Sequence, residues 1–334
     1  MQAGSFALAI GLLYLALRNV DLGDLWTRIR TASFLWLLPL TLFVFISHYL
    51  RAWRWQVLIS ALPDSRGKGA TVTKLFGALM VGYMVNYAAP RIGELVRTSI
   101  AARATGHRFA AVLGTVVAER LLDVICLALA LVSVLALLKD QIRVLVSSIA
   151  VPGFLAGPTG VALLLLAIVL PLIAVYLYRQ KVRSAPGSGR AQRLVESFVA
   201  GLQTLLRSER AGTIVFSTLL MWSCYLVMAY IPLRMLGMTD AFDVGLVDAW
   251  SLMNIGALGV VVPAPGGTGT YHYITQLALT GIWSVDSDVA AAYAIITHAI
   301  QMLLYVAAGF ISLVGLGIGL SAIIPSGGDV DQSS

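Results

Sequence analysis

An apolar stretch from residue 75 to 102 is interrupted at its centre by groups that are costly inside a lipid bilayer. The interruption contains Pro90, Arg91, Gly93 and Glu94. An arginine or carboxylate at the centre of a transmembrane helix costs roughly 2.5–3.5 kcal/mol, so such residues usually face protein or a wet cavity. Proline removes a backbone donor and disfavours helical geometry in the residue before it. We therefore expect two half-helices here, covered by the rest of the protein.

The composition of the whole chain predicts a polytopic membrane protein. Of the 334 residues, 59% are hydrophobic and 12% are charged, against roughly 25% charged residues in an average soluble domain. A bilayer crossing needs about 20 residues, and six segments satisfy that length. These predicted spans are 4–20, 34–58, 109–138, 159–179, 213–235 and 289–320.

A second apolar region, 249–281, is also broken near its centre, by Pro263, Pro265 and several glycines. Each arm of about 14 residues would extend roughly 21 Å, which is less than the ~30 Å hydrocarbon core. Re-entrant hairpins therefore fit both broken regions better than full spans. The predicted fold class is an all-α membrane protein with about six transmembrane helices and two re-entrant helical hairpins, arranged as an inverted pair.

The lysines and arginines predict the orientation of the chain. With two hairpins and a cytoplasmic N-terminus, most of the 23 basic residues fall on the cytoplasmic side, as the positive-inside rule requires. Arg18 favours the opposite orientation, but the strongly basic loop 180–212 outweighs it. The net charge of +7 is attributed to anionic lipid and not to nucleic acid. We expect one transmembrane domain, 1–325, a polar tail, 326–334, and cytoplasmic termini.

The first break predicts an anion site. A turn at Pro90 would point the free backbone donors and partial positive charge of the next helix start toward the bilayer centre. Arg91 adds a full charge, so the site suits a phosphate. Asn86 and Arg97 flank the break, and Glu94 could pair with Arg91 or with a substrate amine. A self-contained Arg91–Glu94 pair that only holds the hairpin remains the structural alternative.

The second break predicts a tight tip whose backbone amides form a nest for an anion. Its residues are Gly266, Gly267, Thr268, Gly269 and Thr270. Glycines allow left-handed backbone conformations and close approach of a ligand. The alternative is a tight turn that is needed only for packing.

The span 109–138 carries a third polar group, Glu119, Arg120 and Asp123. Their spacings of three and four place them on one helix face. Two acids and one arginine leave a negative excess, which another arginine or a bound cation could offset. A structural clamp and a ligand contact both fit this pattern.

Other polar residues are given structural roles. Arg51 and Arg54, at the inner end of the second span with Trp53 and Trp55, are interpreted as interfacial anchors. Isolated intramembrane polar groups are interpreted as helix–helix hydrogen bonds, and these are His48, His298 and Gln301. No catalytic motif is present in the sequence, so we expect no enzyme, no metal and no cofactor.

Three motifs, in this order, resemble the lysylphosphatidylglycerol synthase transmembrane-region family. They are Asn86-x-x-x-Pro90-x-x-Gly93-Glu94-x-x-Arg97, Glu119-Arg120-x-x-Asp123 and Pro263-x-Pro265-Gly266-Gly267-x-Gly269. The resemblance covers about 6–320. It implies a lipid-handling protein of a prokaryotic plasma membrane, with two re-entrant hairpins and no enzymatic domain of its own. Where the family usually has an acid after the glycines, this chain has Tyr271-His272.

The leading functional hypothesis is a flippase-type transporter of an anionic phospholipid, an aminoacyl-phospholipid or a polyprenyl-phosphate-linked lipid. Basic groups and tip amides would bind the headgroup phosphate: Arg91, Arg97, Arg120 and residues 266–270. Acidic groups would balance charge or bind a basic headgroup: Glu94, Glu119 and Asp123. Two alternatives stay open, a membrane scaffold for a separate lipid-modifying synthase or glycosyltransferase and a transporter of small soluble anions.

Overall fold

The computed structural model describes residues 2–62, 71–89, 92–139, 209–261 and 264–318, and positions 141, 196, 200, 203 and 204. Every regular element in this part of the chain is helical. Helices of ten or more residues are numbered in chain order: α1 (Gln2–Leu17), α2 (Leu22–Thr31), α3 (Leu37–Ser60), α4 (Val72–Ala88), α5 (Ile92–Thr105), α6 (Phe109–Leu137), α7 (Ala211–Met235), α8 (Leu246–Val261), α9 (Thr270–Trp283) and α10 (Ser287–Leu316). Shorter helical turns lie at Phe34–Trp36, Met238–Ala241 and Pro265–Gly267.

Four helical segments are long and apolar enough to cross a membrane. They are Phe34–Ser60, Phe109–Leu137, Ala211–Met235 and Ser287–Leu316, and they correspond to four of the six predicted spans. The predicted span 159–179 lies outside the described residues, as does most of the basic loop 180–212. The predicted all-helical membrane fold is confirmed at this level, while the count of six spans stays a prediction.

The predicted first span, 4–20, forms a shorter helix than expected. α1 ends at Leu17 after 16 residues, or about 24 Å at 1.5 Å per residue. A new helix starts after Asp21, whose carboxylate accepts hydrogen bonds from the amides of Gly23 and Asp24 at 2.7 and 3.1 Å. This cap satisfies backbone donors of α2 that would otherwise lack partners. The helix therefore ends three residues before the predicted end of this span, and whether it crosses the membrane stays a prediction.

α4 and α5 form an antiparallel hairpin around the predicted break at 89–91. Leu75, near the start of α4, shares a buried cluster with Ala101 and Ala102, near the end of α5. The two helices contain 17 and 14 residues, or about 25 and 21 Å, and both are shorter than the ~30 Å hydrocarbon core. Pro90 and Arg91 themselves lie outside the described residues.

Glycines bring the two arms of this hairpin into contact. A Cβ atom on Gly93 would overlap the carbonyl oxygen of Gly82 and the side chain of Asn86. The Asn86 side-chain oxygen accepts a hydrogen bond from the Gly93 amide at 2.9 Å, so it satisfies one free donor at the start of α5. Small residues of this kind let helices pack where lipid supplies no hydrophobic driving force.

α8 and α9 form a second hairpin by the same means. A Cβ atom on Gly256 would lie 3.1 Å from the ring of Tyr271, and one on Gly259 would lie 2.9 Å from the carbonyl oxygen of Thr270. The two helices contain 16 and 14 residues, or about 24 and 21 Å. Both broken apolar regions are therefore helical hairpins with short arms.

The remaining helices surround the hairpins. α3 packs along α7, and α10 packs along α4. The α4–α10 contact is close because Gly309 faces Met84, and an added Cβ there would lie 2.5 Å from that side chain. α1 lies against the second hairpin, where a Cβ on Gly269 would overlap the backbone of Ala9. The tip of the second hairpin is consequently covered by α1.

Substitution Gly93→Ala should destabilise the first hairpin. The new methyl group has no room, and overpacking of this kind typically costs about 1–3 kcal/mol. We expect a lower thermal unfolding midpoint in detergent. Gly11→Ala is the matched control, because nothing lies within 4 Å of a Cβ at that position. Equal midpoints for the two variants would contradict the close Gly82–Gly93 contact.

Both ends of the first hairpin should be accessible from the cytoplasmic side. Lys74→Cys and Arg103→Cys would be made separately in a protein without its free cysteines, Cys126 and Cys224, and treated with a membrane-impermeant maleimide. Labelling of both positions from the same side is expected, because α4 and α5 are antiparallel and short. Labelling from opposite sides would rule out the re-entrant arrangement.

Candidate functional site

Three helices contribute seven charged side chains to one buried network. The members are Arg51 and Arg54 from α3, Glu94 and Arg97 from α5, and Glu119, Arg120 and Asp123 from α6. Four arginines and three carboxylates give these residues a formal net charge of +1. Isolated charges are very costly in a low-dielectric interior, so each must have partners.

Glu119 is the centre of the network and is fully buried. One carboxylate oxygen lies 3.1 Å from Nε of Arg51 and 3.4 Å from Nη2 of Arg54. The other lies 3.0 Å from Nη1 of Arg97. Three guanidinium groups therefore compensate a single carboxylate, and each comes from a helix other than α6.

The other two carboxylates are also shared between arginines. Asp123 lies 2.6 Å from Arg54, contacts Arg51 directly and lies 3.9 Å from Arg120. Glu94 contacts both Arg97 and Arg120. The excess negative charge predicted for α6 is therefore offset by arginines of the neighbouring helices. This was one of the two predicted ways to offset it, the other being a bound cation.

The interpretation of Arg51 and Arg54 as interfacial anchors was wrong. Their exposed fractions are 6% and 0%, and Arg54 also donates to the hydroxyl of Thr218 at 3.1 Å. Trp55 is buried as well, with Arg97 stacked 4.9 Å from its ring centroid. The negative excess on α6 was the signal that pointed to further buried arginines, but the sequence did not show which arginines met it.

The alternative of an Arg91–Glu94 pair stays a prediction, because Arg91 lies outside the described residues. Glu94 itself pairs with Arg97 and Arg120. The start of α5 has fewer free backbone N–H donors than expected, since the amide of Gly93 donates to the side chain of Asn86. Glu94, beside the polar break of the first hairpin, is therefore part of the charged network.

A cavity of about 540 Å³ lies beside the network and between the two hairpins. The charged side chains of its lining are Arg51, Arg120 and Asp123. Arg120 is the most open of the paired arginines of the network, with 42% of its side chain accessible, against 7% for Arg51. The network is thus closed on one side and presents Arg120 to the cavity on the other.

The tips of the two hairpins meet at the edge of this cavity. A Cβ atom on Gly266, in the second tip, would overlap the ring of Tyr87, near the end of α4. His298 of α10 supports the contact, because its Nε2 lies 3.0 Å from the carbonyl oxygen of Gly266. The end of α4 and the second tip are therefore neighbours in space.

The predicted left-handed glycines of the second tip are confirmed. The φ angles of Gly266, Gly267 and Gly269 are +57°, +78° and +81°, a region that residues with a Cβ rarely adopt. Three of the five amides expected to form a free nest have partners, however. The amides of Gly267, Thr268 and Gly269 donate to acceptors within the tip or the following turn at 2.9–3.3 Å. The hydroxyl of Thr270 donates to the carbonyl of Gly267 at 3.0 Å.

The structure divides the predicted site residues into three groups. The cavity lining includes Asn86, Arg120, Asp123 and Gly266. The buried network beside it includes Glu94, Arg97 and Glu119. Residues of the packed tip that do not line the cavity are Gly267, Thr268, Gly269 and Thr270. Arg91 is not among the described residues.

These features define a polytopic integral membrane protein with a charged cavity between two interrupted hairpins. The family model described as the lysylphosphatidylglycerol synthase transmembrane region matches residues 2–309, and the chain belongs to that family. The chain is also similar to the glycosyltransferase AglD of Haloferax volcanii, with 27% identity over 140 residues. The matched stretch is 41% of this chain and 22% of that protein. No solved structure matches the chain.

Substitution Glu119→Gln should strongly destabilise the protein. Three arginines would lose their shared carboxylate, and breaking a buried pair typically costs about 3–5 kcal/mol. Arg28→Gln is the control, because Arg28 pairs with Asp288 at 3.1 Å but its side chain is 51% exposed, and such pairs contribute about 0–1 kcal/mol. Thermal unfolding of both variants measures the difference. Equal losses would show that the buried network does not hold the helices together.

Proposed function

We propose that this protein is a flippase-type transporter that moves an anionic lipid between the two leaflets and binds its headgroup in the cavity. The observation that carries the proposal is the position of Arg120 at the cavity wall, with 42% of its side chain accessible. The cavity lies between α4 and α8, so a bound headgroup would contact both interrupted segments. The protein itself would carry out no chemical reaction.

Charge supports an anionic ligand. The described network has one more arginine than carboxylates, and electrostatic interactions in such an interior are much stronger than in water. A headgroup phosphate at Arg120 would neutralise this excess. Guanidinium groups also match phosphate oxygens geometrically and lose little hydration on binding.

The paired hairpins support transport. Interrupted hydrophobic segments in two halves of a chain are the best sequence pointer to a transporter site, and here the two tips touch through Gly266 and Tyr87. A change in one hairpin would therefore reach the other directly. Without a nucleotide-binding motif in the sequence, the driving force would come from a gradient, the membrane potential or removal of the product.

A second candidate function is a membrane scaffold for a separate lipid-modifying enzyme. Its support is the similarity to a protein named as a glycosyltransferase. A scaffold has no use for an accessible arginine facing an internal cavity, so transport is the better account. Reconstitution of the purified chain alone separates the two, because a scaffold would move no lipid.

Substitution Arg120→Gln should slow lipid movement selectively. Purified protein would be reconstituted in liposomes, and the flipping of fluorescent phosphatidylglycerol would be followed by chemical quenching of the outer leaflet. We expect a rate at least about tenfold lower, since a hydrogen bond to a charged group contributes roughly 1.5–3 kcal/mol. The fold should survive, because Glu94 keeps its contact with Arg97.

Arg28→Gln is the matched control for this experiment, because the same substitution is made in an ion pair whose members, Arg28 and Asp288, do not line the cavity. Its flipping rate should equal that of the unmodified protein. A folded Arg120→Gln protein that moves lipid at the normal rate would contradict the proposal, as would an unmodified protein that moves none.

A further inference from the structure

Two histidines lie side by side at the glycine tip of the second hairpin. His272 is in the first turn of α9 and His298 is in α10, and their ring centroids are 4.8 Å apart. Both side chains are buried. Of the two, His298 is the one that lines the cavity, so it is the ring that a proton from the cavity would meet first.

Backbone partners fix the protonation state of each ring. Nε2 of His298 lies 3.0 Å from the carbonyl oxygen of Gly266, so this nitrogen must carry a hydrogen and donate it. Nδ1 of His272 accepts a hydrogen bond from the amide of Gly269 at 3.3 Å, so this nitrogen must be without a hydrogen. A neutral histidine has one donor and one acceptor nitrogen. In both rings a second proton would therefore have to add to Nδ1.

That second proton has opposite effects on the tip at the two rings. On His298 it would leave the bond to Gly266 in place and make the donor charged, which strengthens such a bond. On His272 it would break the bond from Gly269 and leave two N–H groups facing each other. Because like charges at this separation disfavour each other, the pair takes up one proton, and that proton belongs on His298.

In the described part of the chain, no carboxylate is bonded to His298. The neighbouring titratable rings besides His272 are those of Tyr87, from α4, and Tyr271, from α9, with centroids 6.1 and 6.0 Å away. The other titratable or charged side chains of the cavity lining are the tyrosines Tyr83, Tyr225, Tyr293 and Tyr305 and the charged groups Arg51, Arg120 and Asp123. Phenol groups are neutral near pH 7, so no fixed negative charge beside His298 holds a proton there permanently.

An anion in the cavity makes protonation of His298 less costly. In the empty cavity, a further positive charge adds to the excess of arginines over carboxylates in the network. A phosphate at Arg120 removes that excess and attracts the new charge across a space of about 540 Å³, where charges interact more strongly than in water. The effect is reciprocal, so protonation of His298 must strengthen phosphate binding by the same factor.

Resting on the proposed function, we infer that each anionic lipid moves together with one proton, which Nδ1 of His298 carries. The proton comes from water in the cavity when the headgroup binds, and it returns to water on the other side when the headgroup leaves. One negative and one positive charge cross together, so the step is electrically neutral. A pH difference across the membrane therefore drives the lipid toward the alkaline side.

The test measures the steady-state distribution of fluorescent phosphatidylglycerol between the leaflets of liposomes that contain the purified full-length protein. The pH differs by about one unit across the membrane, and valinomycin with equal potassium on both sides holds the membrane potential at zero. For one proton per lipid, we expect about tenfold more labelled lipid in the leaflet on the alkaline side, because one pH unit is a tenfold ratio of proton concentrations and the two ratios balance at equilibrium. Liposomes without protein give the background.

Substitution His298→Gln should abolish this asymmetry. The glutamine amide can still donate to the carbonyl of Gly266, but it cannot take up a proton. The steady-state ratio does not depend on the transport rate, so equal amounts of lipid in the two leaflets are expected even from a slower variant. His48→Gln is the matched control. Nε2 of His48 lies 2.7 Å from the hydroxyl of Tyr305, and His48 does not line the cavity, so the asymmetry should persist.

Substitution His272→Asn separates the two rings of the pair. The asparagine oxygen can still accept a hydrogen bond from the amide of Gly269 but takes up no proton, so the tenfold asymmetry should persist. An asymmetry that is lost in this variant and kept in His298→Gln would overturn the assignment of the proton to His298.

The unmodified protein decides whether transport is coupled, whatever the stability of the variants. Equal leaflets under the pH difference, or accumulation on the acidic side, would overturn proton coupling and leave anionic-lipid transport in place. An unmodified protein that moves no lipid with or without a pH difference would overturn the proposed function as well.

Discussion

The compensation of Glu119 by three arginines is the interaction on which the rest of this structure depends. A buried carboxylate is tolerable only when its partners are held in place, and here they come from α3 and α5. That requirement fixes the distance between α3, α5 and α6. Since α5 is one arm of the first hairpin, the network also positions that hairpin and its tip. Arg120 contacts Glu94 but is not one of the three arginines that compensate Glu119, and 42% of its side chain stays accessible.

The two hairpins show how a membrane protein can place polar groups deep in its interior. Neither has arms long enough to cross the hydrocarbon core, and both rely on glycines that let their helices touch. The hairpins meet through Gly266 and Tyr87, so the glycine tip of the second is covered by α4 and by α1. The cavity lies beside this contact, between α4 and α8. In this fold, the cavity is the space between two hairpins with short arms.

Sequence reasoning predicted the parts of this fold that follow from local chemistry. The breaks near Pro90 and Gly266, the spans that became α6, α7 and α10, and the left-handed glycines all follow from residue type and order. The network was predicted only in part, because a charged residue on an apolar helix gives no sign of whether it faces lipid headgroups or a neighbouring helix. Arg51 and Arg54 were misassigned for that reason. The occupied amides of Gly267 and Gly269 depend on tertiary contacts that no spacing rule describes.

The packing of α1 against the second tip has a consequence for biosynthesis. Gly269 rests on the backbone of Ala9, and Arg28 of α2 pairs with Asp288 of α10, 260 positions further along the chain. These contacts between early and late residues cannot form until both have been synthesised, and closing so long a loop is slow and entropically costly. During translation, α1 is therefore synthesised long before the glycine tip against which it packs. Docking of α1 onto the glycine tip is accordingly among the last steps in the folding of the protein.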